Sequence, residues 1–219
     1  MRIALLGGTG FVGQALLRAL SGGEHEVRAL ARDPSRLSAP GVEVVPGSLE
    51  ELPAALFAHE PEVVIHFATK QVDQDGSGFQ ATNVAGSERL LAALPESARV
   101  VLYGSSLSVY GQGPQRGERE QELPIRPATA LARSRAAAEE RILAWAEARG
   151  ASAHCLRPRF VLGRGDRFTL PGLRRLTAQG RTLGSGAQRF SVIDVDDYAA
   201  LILALAAEAL AASEPRRGG

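Results

Sequence analysis

The stretch Gly7-Gly8-Thr9-Gly10-Phe11-Val12-Gly13 decides the fold of this chain. It follows an apolar run at Ile3–Leu6 and precedes a helical pattern, so it occupies the turn between a strand and a helix. Gly7 permits the tight turn, Gly10 lets a pyrophosphate approach the main chain, and Gly13 lets the helix pack closely on the strand. The free N–H groups and the positive dipole end of the helix favour an anion there. A glycine turn that binds nothing is the alternative, but the strand–turn–helix context favours a dinucleotide site.

The rest of the chain alternates short apolar runs with helical stretches, which predicts parallel strands covered on both faces. The predicted strands are Ile3–Leu6, Glu26–Ala31, Val42–Val45, Val63–Phe67, Val100–Tyr103 and Ala153–Arg157. The predicted helices between them are Val12–Leu20, Leu49–Ala58, Phe79–Leu94 and Ala128–Arg149. This alternation predicts an α/β fold of the Rossmann type, a doubly wound parallel sheet with right-handed crossovers.

The pattern loosens in the last quarter of the sequence, where glycine and arginine are frequent. The elements predicted there are a helix at Leu170–Gln179, a strand at Phe190–Ile193 and a helix at Val195–Ala211. We expect a single domain over residues 1–212, in which residues 163–190 form a small C-terminal cover on the substrate side. Residues 213–219 should form a flexible tail.

Composition argues against several classes of function. The chain of 219 residues has 25 basic and 24 acidic side chains and a formal net charge of +1, so no overall field attracts nucleic acid. The arginines run through the whole sequence and form no patch along it. A lone Cys155 and four scattered histidines argue against a disulfide or a metal site. No segment approaches the roughly 20 apolar residues of a membrane span, and the short apolar start is no signal peptide, so we expect a cytoplasmic protein.

The second predicted strand bears on the choice of cofactor. A domain that prefers NAD usually ends this strand with an acidic residue that binds the ribose 2′-hydroxyl. Here Arg32 stands at about that place and Arg36 follows one helical turn later. A guanidinium holds a phosphate through charge-assisted hydrogen bonds, so the two arginines favour NADP(H). Solvated surface arginines are the alternative, and Asp33 could bind the ribose of NAD(H) instead.

Several blocks of sequence resemble those of the extended or atypical short-chain dehydrogenase/reductases. That family includes the nucleotide-sugar epimerases and dehydratases and their reductase relatives. The blocks are Leu6–Gly13, Val63–Ala68, Asn83–Gly86, Ser105–Gly111, Leu156–Gly163 and Phe190–Asp197. They occur in family order at family spacing over residues 1–205, so the resemblance covers nearly the whole chain.

The resemblance implies a role for each of several positions. Gly7, Gly10, Phe11 and Val12 would face the pyrophosphate, within the turn that also holds Thr9 and Gly13. Further cofactor contacts implied by the resemblance are Arg32 and Arg36, Ser48 and Leu49 at the adenine, Phe67, Ala68 and Thr69 along the cleft, and Pro158 and Arg159 near the nicotinamide. Ser106 matches the catalytic Ser/Thr that hydrogen-bonds the substrate oxygen; a hydroxyl that bonds its own main chain is the alternative.

The sequence departs from the family pattern on the long helix that follows the serine block. Relatives have a catalytic Tyr-x-x-x-Lys pair there, but the alignment places Leu131 at the tyrosine and Arg135 at the lysine. Leucine has no proton to transfer, whereas Arg135 could still bind the nicotinamide ribose. Three other groups are candidate substitutes: Tyr110, Lys70 and Arg159. For each of them an ordinary surface or loop role is the alternative.

The substrate side is small. It consists of residues 111–127 and 163–190, with arginines that include Arg116, and it fits a small or flat hydrophobic substrate better than a nucleotide sugar; an anionic ligand is the alternative. The leading hypothesis is an NADP(H)-dependent reductase of a carbonyl or activated alkene. The alternatives are a non-catalytic NADP-binding redox sensor and an epimerase/dehydratase-like enzyme. By resemblance, helices Phe79–Leu94 and Ala128–Arg149 would form a homodimer.

Overall fold

A seven-stranded sheet, in the order β3-β2-β1-β4-β5-β6-β9, forms the centre of the molecule, and every pair in it is parallel. The computed structural model describes residues 1–113, 117–181, 185, 187 and 189–218. The sheet strands are β1 (Arg2–Leu6), β2 (Glu26–Ala31), β3 (Val42–Pro46), β4 (Val63–His66), β5 (Val100–Gly104), β6 (Ser152–Leu156) and β9 (Arg217–Gly218). This order reverses direction between β1 and β4, where ligands bind in doubly wound sheets.

Helices cover both faces of the sheet, as predicted. They are α1 (Phe11–Leu20), α2 (Ser77–Phe79), α3 (Gly86–Ala93), α4 (Ala130–Arg149), α5 (Thr169–Ala178) and α6 (Val195–Ala211). Helices α1 and α6 pack on each other over one face, while α3 and α4 cover the opposite face, so each face has its own apolar cluster. Within the part of the chain that the structure describes, no helix has the length and apolar character needed to span a membrane.

The prediction of a helix at Leu49–Ala58 is wrong. The segment forms a bend followed by a single 3₁₀ turn at Ala54–Phe57. Pro53 stands at the N-cap of that turn, and a proline disfavours helical geometry in the residue before it while offering no N–H to a helical ladder. The chain is therefore free to bend around Ser48, at the carboxyl end of β3.

The second half of the helix predicted at Phe79–Leu94 is α-helical, as predicted, but most of its first half is not. Residues Gln80–Ala85 are π-helical and lie between α2 and α3. The wider turn places Asn83 where its side chain bonds both main-chain groups of Lys70. The irregular segment thus joins this helix to the end of β4, and π-turns are frequent at functional sites.

Two further boundaries differ near the C-terminus. The strand expected at Phe190–Ile193 lies at Val192–Asp194, named β8, and pairs in parallel with β7 (Phe160–Leu162) as a separate two-stranded sheet. The tail expected to be flexible at 213–219 contains β9, whose Arg217 pairs with Ala153 of β6. The edge strand of a sheet has unpaired N–H and C=O groups with which another segment can pair. A hydrogen bond from Arg216 N to Ser152 Oγ at 3.0 Å supports the pairing of β9 with β6.

Candidate cofactor cleft and catalytic turn

A cleft of ≈ 530 Å³ lies at the carboxyl ends of the first strands of the sheet. Nine of the residues predicted to bind the cofactor line it: Gly7, Thr9, Gly10, Arg32, Ser48, Leu49, Phe67, Ala68 and Thr69. Its other lining residues include Glu50, Lys70 and Thr82. The structure thus brings together four segments that are separate in sequence, because the parallel strands β1, β2, β3 and β4 all end at the same edge.

The glycines of the turn after β1 differ in the space around them. A Cβ on Gly7, whose φ is 93°, would lie 2.4 Å from the main-chain carbon of Phe67, and a Cβ on Gly13 would lie 2.1 Å from the Gly7 oxygen. Neither position accepts a side chain without displacing main chain. A Cβ on Gly10 would instead meet a single atom within 4 Å, the Gly7 oxygen at 3.2 Å. Gly7 and Gly13 are therefore required by packing, whereas Gly10 faces the open cleft.

The N-terminus of α1 presents main-chain donors at this turn. Gly10 is the N-cap and provides no side-chain cap, and the first helical bond runs from Gln14 N to Gly10 O at 2.9 Å. The side chains of Phe11 and Val12 pack against the apolar cluster between α1 and α6, so they do not compete for these donors. An uncapped helix N-terminus favours an anion through its N–H groups and its dipole.

At the far end of the cleft, Arg32 is exposed and lines the wall after β2. Asp33 does not compete with it, because its carboxylate accepts hydrogen bonds from Ser35 N at 3.1 Å and Ser35 Oγ at 2.6 Å. Those bonds lower the pKa of Asp33 and hold it against its own turn. Arg36 closes the same 3₁₀ turn, is exposed and does not line the cleft.

Ser48 and Leu49 line the cleft but have structural contacts of their own. The Ser48 hydroxyl accepts hydrogen bonds from Glu50 N and Glu51 N, both at 3.2 Å, which leaves its proton to donate. The Leu49 side chain is buried and packs against Gly86 of α3, where a Cβ would lie 3.1 Å from it. Leu49 therefore meets the cleft mainly through its main chain.

Buried polar side chains hold the loop after β4. The Asn83 amide accepts a hydrogen bond from Lys70 N at 2.7 Å, and it donates to Lys70 O at 3.1 Å and to Ser134 Oγ on α4 at 2.9 Å. Sequence reasoning gave Asn83 no role beyond its place in a family block. Lys70, which the sequence offered as a candidate substitute for the family tyrosine, pairs with Asp73 at 2.5 Å and is thus engaged in an ion pair.

Ser106 begins the turn that follows β5. Its Oγ accepts a hydrogen bond from Ser108 N at 3.2 Å, and the next residue donates from Leu107 N to Pro158 O at 3.1 Å. The alternative role considered for Ser106, a hydroxyl bonded to its own main chain, is thus present. This bond uses only a lone pair of the hydroxyl oxygen. The hydroxyl proton of Ser106 stays available for a substrate oxygen.

Arg135 is buried at the end of β5, where its Nη1 donates to Ser105 O at 2.5 Å and to Gly104 O at 3.3 Å. Burial lowers its pKa, while the nearby hydroxyls of Tyr103 and Tyr198 act in the opposite direction. Both hydroxyls are buried and have no hydrogen-bond partner among the described residues. The Arg135 cation therefore contacts the main chain of Ser105, the residue before Ser106, in a poorly solvated environment. Leu131, one helical turn earlier, is half-buried.

An ion pair between the half-buried Arg157 and the buried Glu139 contacts the turn that begins at Ser106. Arg157 contacts Glu139 of α4 through two bonds, at 2.6 and 3.0 Å, and donates to the Tyr110 hydroxyl at 2.6 Å. Burial alone would lower the pKa of Arg157, but its bonds with Glu139 raise it. Tyr110, a second candidate substitute, is thus part of this structural network. Sequence reasoning missed the network, although a buried arginine after β6 needs an acidic partner.

The third candidate substitute, Arg159, is exposed and stacks on aromatic rings. Its guanidinium carbon lies 5.2 Å from the Phe160 ring centre and 5.6 Å from that of Phe190. It belongs to the segment around β7 and β8 and does not line the cleft. Arg116, one of the arginines expected on the substrate side, lies outside the described residues.

Two other observations limit the chemistry of the molecule. Over residues 1–113, 117–181 and the described remainder, no cluster of His, Cys, Asp or Glu could hold a metal ion. A second cavity of ≈ 430 Å³, lined by His154, Cys155 and Arg157 among others, lies at the edge of β6, and none of the predicted cofactor residues lines it. Burial raises the pKa of the Cys155 thiol, which makes it a poor nucleophile.

The strand order, the glycine turn and the serine turn together define a Rossmann protein of the extended short-chain dehydrogenase/reductase class. Residues 3–217 match the family model described as "NAD dependent epimerase/dehydratase family". The chain belongs to this family.

Similar proteins fall within the same class. The chain is 34% identical over 96% of its length to the 2-alkyl-3-oxoalkanoate reductase of Stenotrophomonas maltophilia, of which it covers 66%. It is 30% identical over 79% of its length to the 4-hydroxy-2-methyl-3-oxo-4-farnesyl-3,4-dihydroquinoline-1-oxide ketoreductase of Stigmatella aurantiaca, of which it covers 54%. The structure of MoeE5 in complex with UDP-glucuronic acid and NAD aligns with a TM-score of 0.80 at 27% identity, over 99% of this chain and 75% of MoeE5. The chain thus spans between half and two thirds of the length of these two curated relatives.

The buried histidine of β4 leads to a prediction about stability and pH. His66 is fully buried, and its Nε2 lies 3.0 Å from Ser87 Oγ, whose proton goes to Asn83 O. Burial lowers the pKa of His66 to about 4 from 6.5. Since the unfolded chain takes up a proton below pH 6.5 and the folded chain does so only near pH 4, the free energy of unfolding should fall between these values. The loss is about 3 kcal/mol at most, at 1.36 kcal/mol per pH unit.

Urea denaturation at several pH values between 4 and 7 measures this loss. The wild type should lose stability over this window, and His66→Gln should lose less over the same window by about the stated amount. Equal pH dependence in the two proteins would mean that His66 is not held neutral by the fold.

Proposed function

We propose that this chain binds NADP(H) in the cleft and is an oxidoreductase of the atypical short-chain type, which moves a hydride to or from a small carbonyl or activated alkene. The glycine turn carries the proposal, because Gly7 and Gly13 have no room for a Cβ while Gly10 opens on the cleft below an uncapped helix N-terminus. That arrangement fits a pyrophosphate against bare main chain. Family membership and the NAD in the MoeE5 complex support the class of cofactor.

The preference for NADP(H) over NAD(H) follows from charge at the adenosine end. Arg32 is exposed on the cleft wall, and Asp33 is turned away by its bonds to Ser35. An acidic residue that would bind the 2′-hydroxyl of NAD is thus engaged elsewhere, and a cation faces the place of a 2′-phosphate. Glu50 lines the same wall and lies near Arg32, so the phosphate has to compete with one carboxylate for the guanidinium.

Two residues of this chain would act on the substrate. Ser106 donates its free hydroxyl proton to the substrate oxygen, and Arg135 supplies positive charge beside that turn as negative charge develops. The nicotinamide, when bound, supplies or accepts the hydride. With Leu131 at the position of the family tyrosine, we infer that the proton comes from water or from the substrate. Loss of one general acid typically costs about 10²–10⁴-fold in rate, which still permits an enzyme whose substrate needs little help.

The substrate class that fits best is a ketone on an apolar skeleton. The two curated relatives described above are named for keto substrates with alkyl or farnesyl groups. The described part of the substrate side is small and carries exposed apolar side chains around Phe168 and Phe190. An apolar ketone needs few polar contacts for recognition, in contrast to a nucleotide sugar.

One structural feature favours a second function, a non-catalytic NADP-binding redox sensor. Arg135 is already bonded to two main-chain carbonyls, Lys70 is in an ion pair, Tyr110 accepts a hydrogen bond, and Arg159 stacks on aromatic rings. Such a protein would bind the cofactor without turnover. An epimerase-like enzyme is the third candidate; it would use the same cleft and Ser106 and return the hydride to the same substrate.

Gly10→Asp tests the cofactor site. A carboxylate at position 10 enters the cleft and repels the pyrophosphate, so NADPH affinity should fall by at least about a hundredfold. Thermal stability should fall only modestly, because a Cβ there meets one atom, the Gly7 oxygen at 3.2 Å, and a small shift of that oxygen relieves the contact. Gly172→Asp is the matched control, since a Cβ on Gly172 meets nothing within 4 Å and the residue lies on α5. Fluorescence titration with NADPH measures both; equal affinities would place the cofactor elsewhere.

Arg32→Gln tests the choice between the two cofactors. Loss of one charge-assisted bond of about 1.5–3 kcal/mol should weaken NADPH by about tenfold to a hundredfold and NADH by little. Arg36→Gln, on the same turn but away from the cleft, should have the smaller effect. Competition titrations with the two nucleotides give the ratio. Equal weakening of NADPH and NADH by Arg32→Gln would remove the argument for NADP.

Ser106→Ala separates the enzyme from the sensor. If the wild type reduces an apolar ketone with NADPH, this variant should lose about 10²–10³-fold in kcat while NADPH binding is retained. Ser108→Ala, on the same turn, should keep most of the activity, because only its main-chain N–H contacts Ser106. An unchanged rate in Ser106→Ala would refute the catalytic role. NADPH binding without turnover on any of a panel of ketones would favour the sensor.

A further inference from the structure

The segment around β7, α5 and β8 has an unusual surface. We define it as the arginine lobe, residues 159–181 and 189–192. It holds seven of the 25 basic residues of the chain but one of its 24 acidic residues, Asp166. All seven arginines are exposed, and none of them is in an ion pair that the structure describes. The near-neutral charge of the whole chain therefore conceals a strongly cationic lobe.

The same lobe carries exposed apolar side chains. Four of the seven large hydrophobic residues that are exposed on the described molecule belong to it: Phe168, Leu173, Phe190 and Val192. Phe168 is 77% exposed and stands at the N-terminus of α5. A soluble surface seldom concentrates apolar groups in this way unless something covers them.

Helix α5 itself has no buried residue. Leu170, Leu173 and Leu176 recur at spacings of three along it, and Arg174 and Arg175 stand beside them, so the helix is amphipathic and cationic. It packs against β7, and the lone Asp166 accepts hydrogen bonds from the first N–H groups of the helix, including Thr169 N at 2.9 Å. Helices that lie at the surface of anionic membranes share this character, with Lys or Arg on the polar face and Phe or Leu on the other.

We propose that the arginine lobe docks on an anionic lipid surface. Phe168 and Leu173 would insert among the acyl chains, and arginines such as Arg174 and Arg175 would contact lipid phosphates. Charge complementarity selects this occupant, since a second copy of the chain would bring two cationic lobes together. The lobe also adjoins the cofactor turn, because the Phe11 ring lies 3.7 Å from the position of a Cβ on Gly165. Docking therefore brings the cleft near the phase into which an apolar ketone partitions.

Sedimentation with vesicles tests the proposal without nucleotide or turnover, so its outcome is independent of the proposed function. The probes are vesicles of phosphatidylcholine alone and of phosphatidylcholine mixed with phosphatidylglycerol. The protein should sediment with the mixed vesicles and stay in solution with the neutral ones, and added salt should weaken the binding.

Variants locate the contact. Arg174→Gln combined with Arg175→Gln should weaken binding to the anionic vesicles by roughly thirtyfold, from about 1 kcal/mol for each arginine at the surface. Arg99→Gln combined with Arg133→Gln removes two exposed arginines outside the lobe and should have little effect. Leu173→Ala should weaken binding severalfold, whereas Leu201→Ala, on α6 and 47% exposed against 41% for Leu173, should not.

Three outcomes would overturn the proposal. They are failure to bind the anionic vesicles, equal binding to neutral and anionic vesicles, and equal losses in the lobe variants and their controls. Salt-sensitive binding to an RNA oligonucleotide without vesicle binding would make the lobe a nucleic-acid interface instead and would also refute docking on lipid.

Discussion

The fold depends on two glycines at which there is no space for a Cβ atom. A Cβ on Gly13 would lie 2.1 Å from the Gly7 oxygen, and one on Gly7 would lie 2.4 Å from the main chain of Phe67. The first strand, the first helix and the end of β4 can approach this closely only with glycine at both positions. Their approach creates the open edge at Gly10, where main-chain donors face the cleft. Packing and the proposed binding of the cofactor therefore depend on the same few atoms.

On the opposite face of the sheet, hydrogen bonds and an ion pair between polar side chains hold the ends of β4, β5 and β6 against α4. Asn83 ties the loop after β4 to α4, and the pair of Arg157 with Glu139 ties the end of β6 to the same helix. Breaking one partner of such a buried pair typically costs about 3–5 kcal/mol, so these bonds set the position of the serine turn firmly. Arg135 extends from the same helix to the carbonyls at the end of β5. Helix α4 thus holds together the side of the molecule to which we assign the catalytic residues.

Local patterns predicted much of the fold, because parallel strands buried on both faces read as unbroken apolar runs. The second strand, Glu26–Ala31, and the last helix, Val195–Ala211, have the predicted bounds. The helix predicted over Leu49–Ala58 does not form because Pro53 lies within it. Hydrophobic periodicity takes no account of the effect of a proline on the residue before it. The convergence of the predicted cofactor residues on one cleft follows from strand ends that share an edge. The partners of Arg157, by contrast, lie 18 and 47 residues away and depend on tertiary distances. The high frequency of arginine in the last quarter is visible in the sequence, but the fold alone shows that the seven arginines of the lobe are all exposed and share their surface with four exposed apolar side chains.

The central claim is that a pyrophosphate rests on the main chain between β1 and α1. A crystal structure of the protein grown with NADPH at millimolar concentration tests it most directly. We expect phosphate oxygens within hydrogen-bonding distance of the N–H groups of Phe11 and Val12, with the adenosine end towards Arg32. Nucleotide density elsewhere on the molecule, or no density in crystals whose cleft is open to solvent, would contradict it.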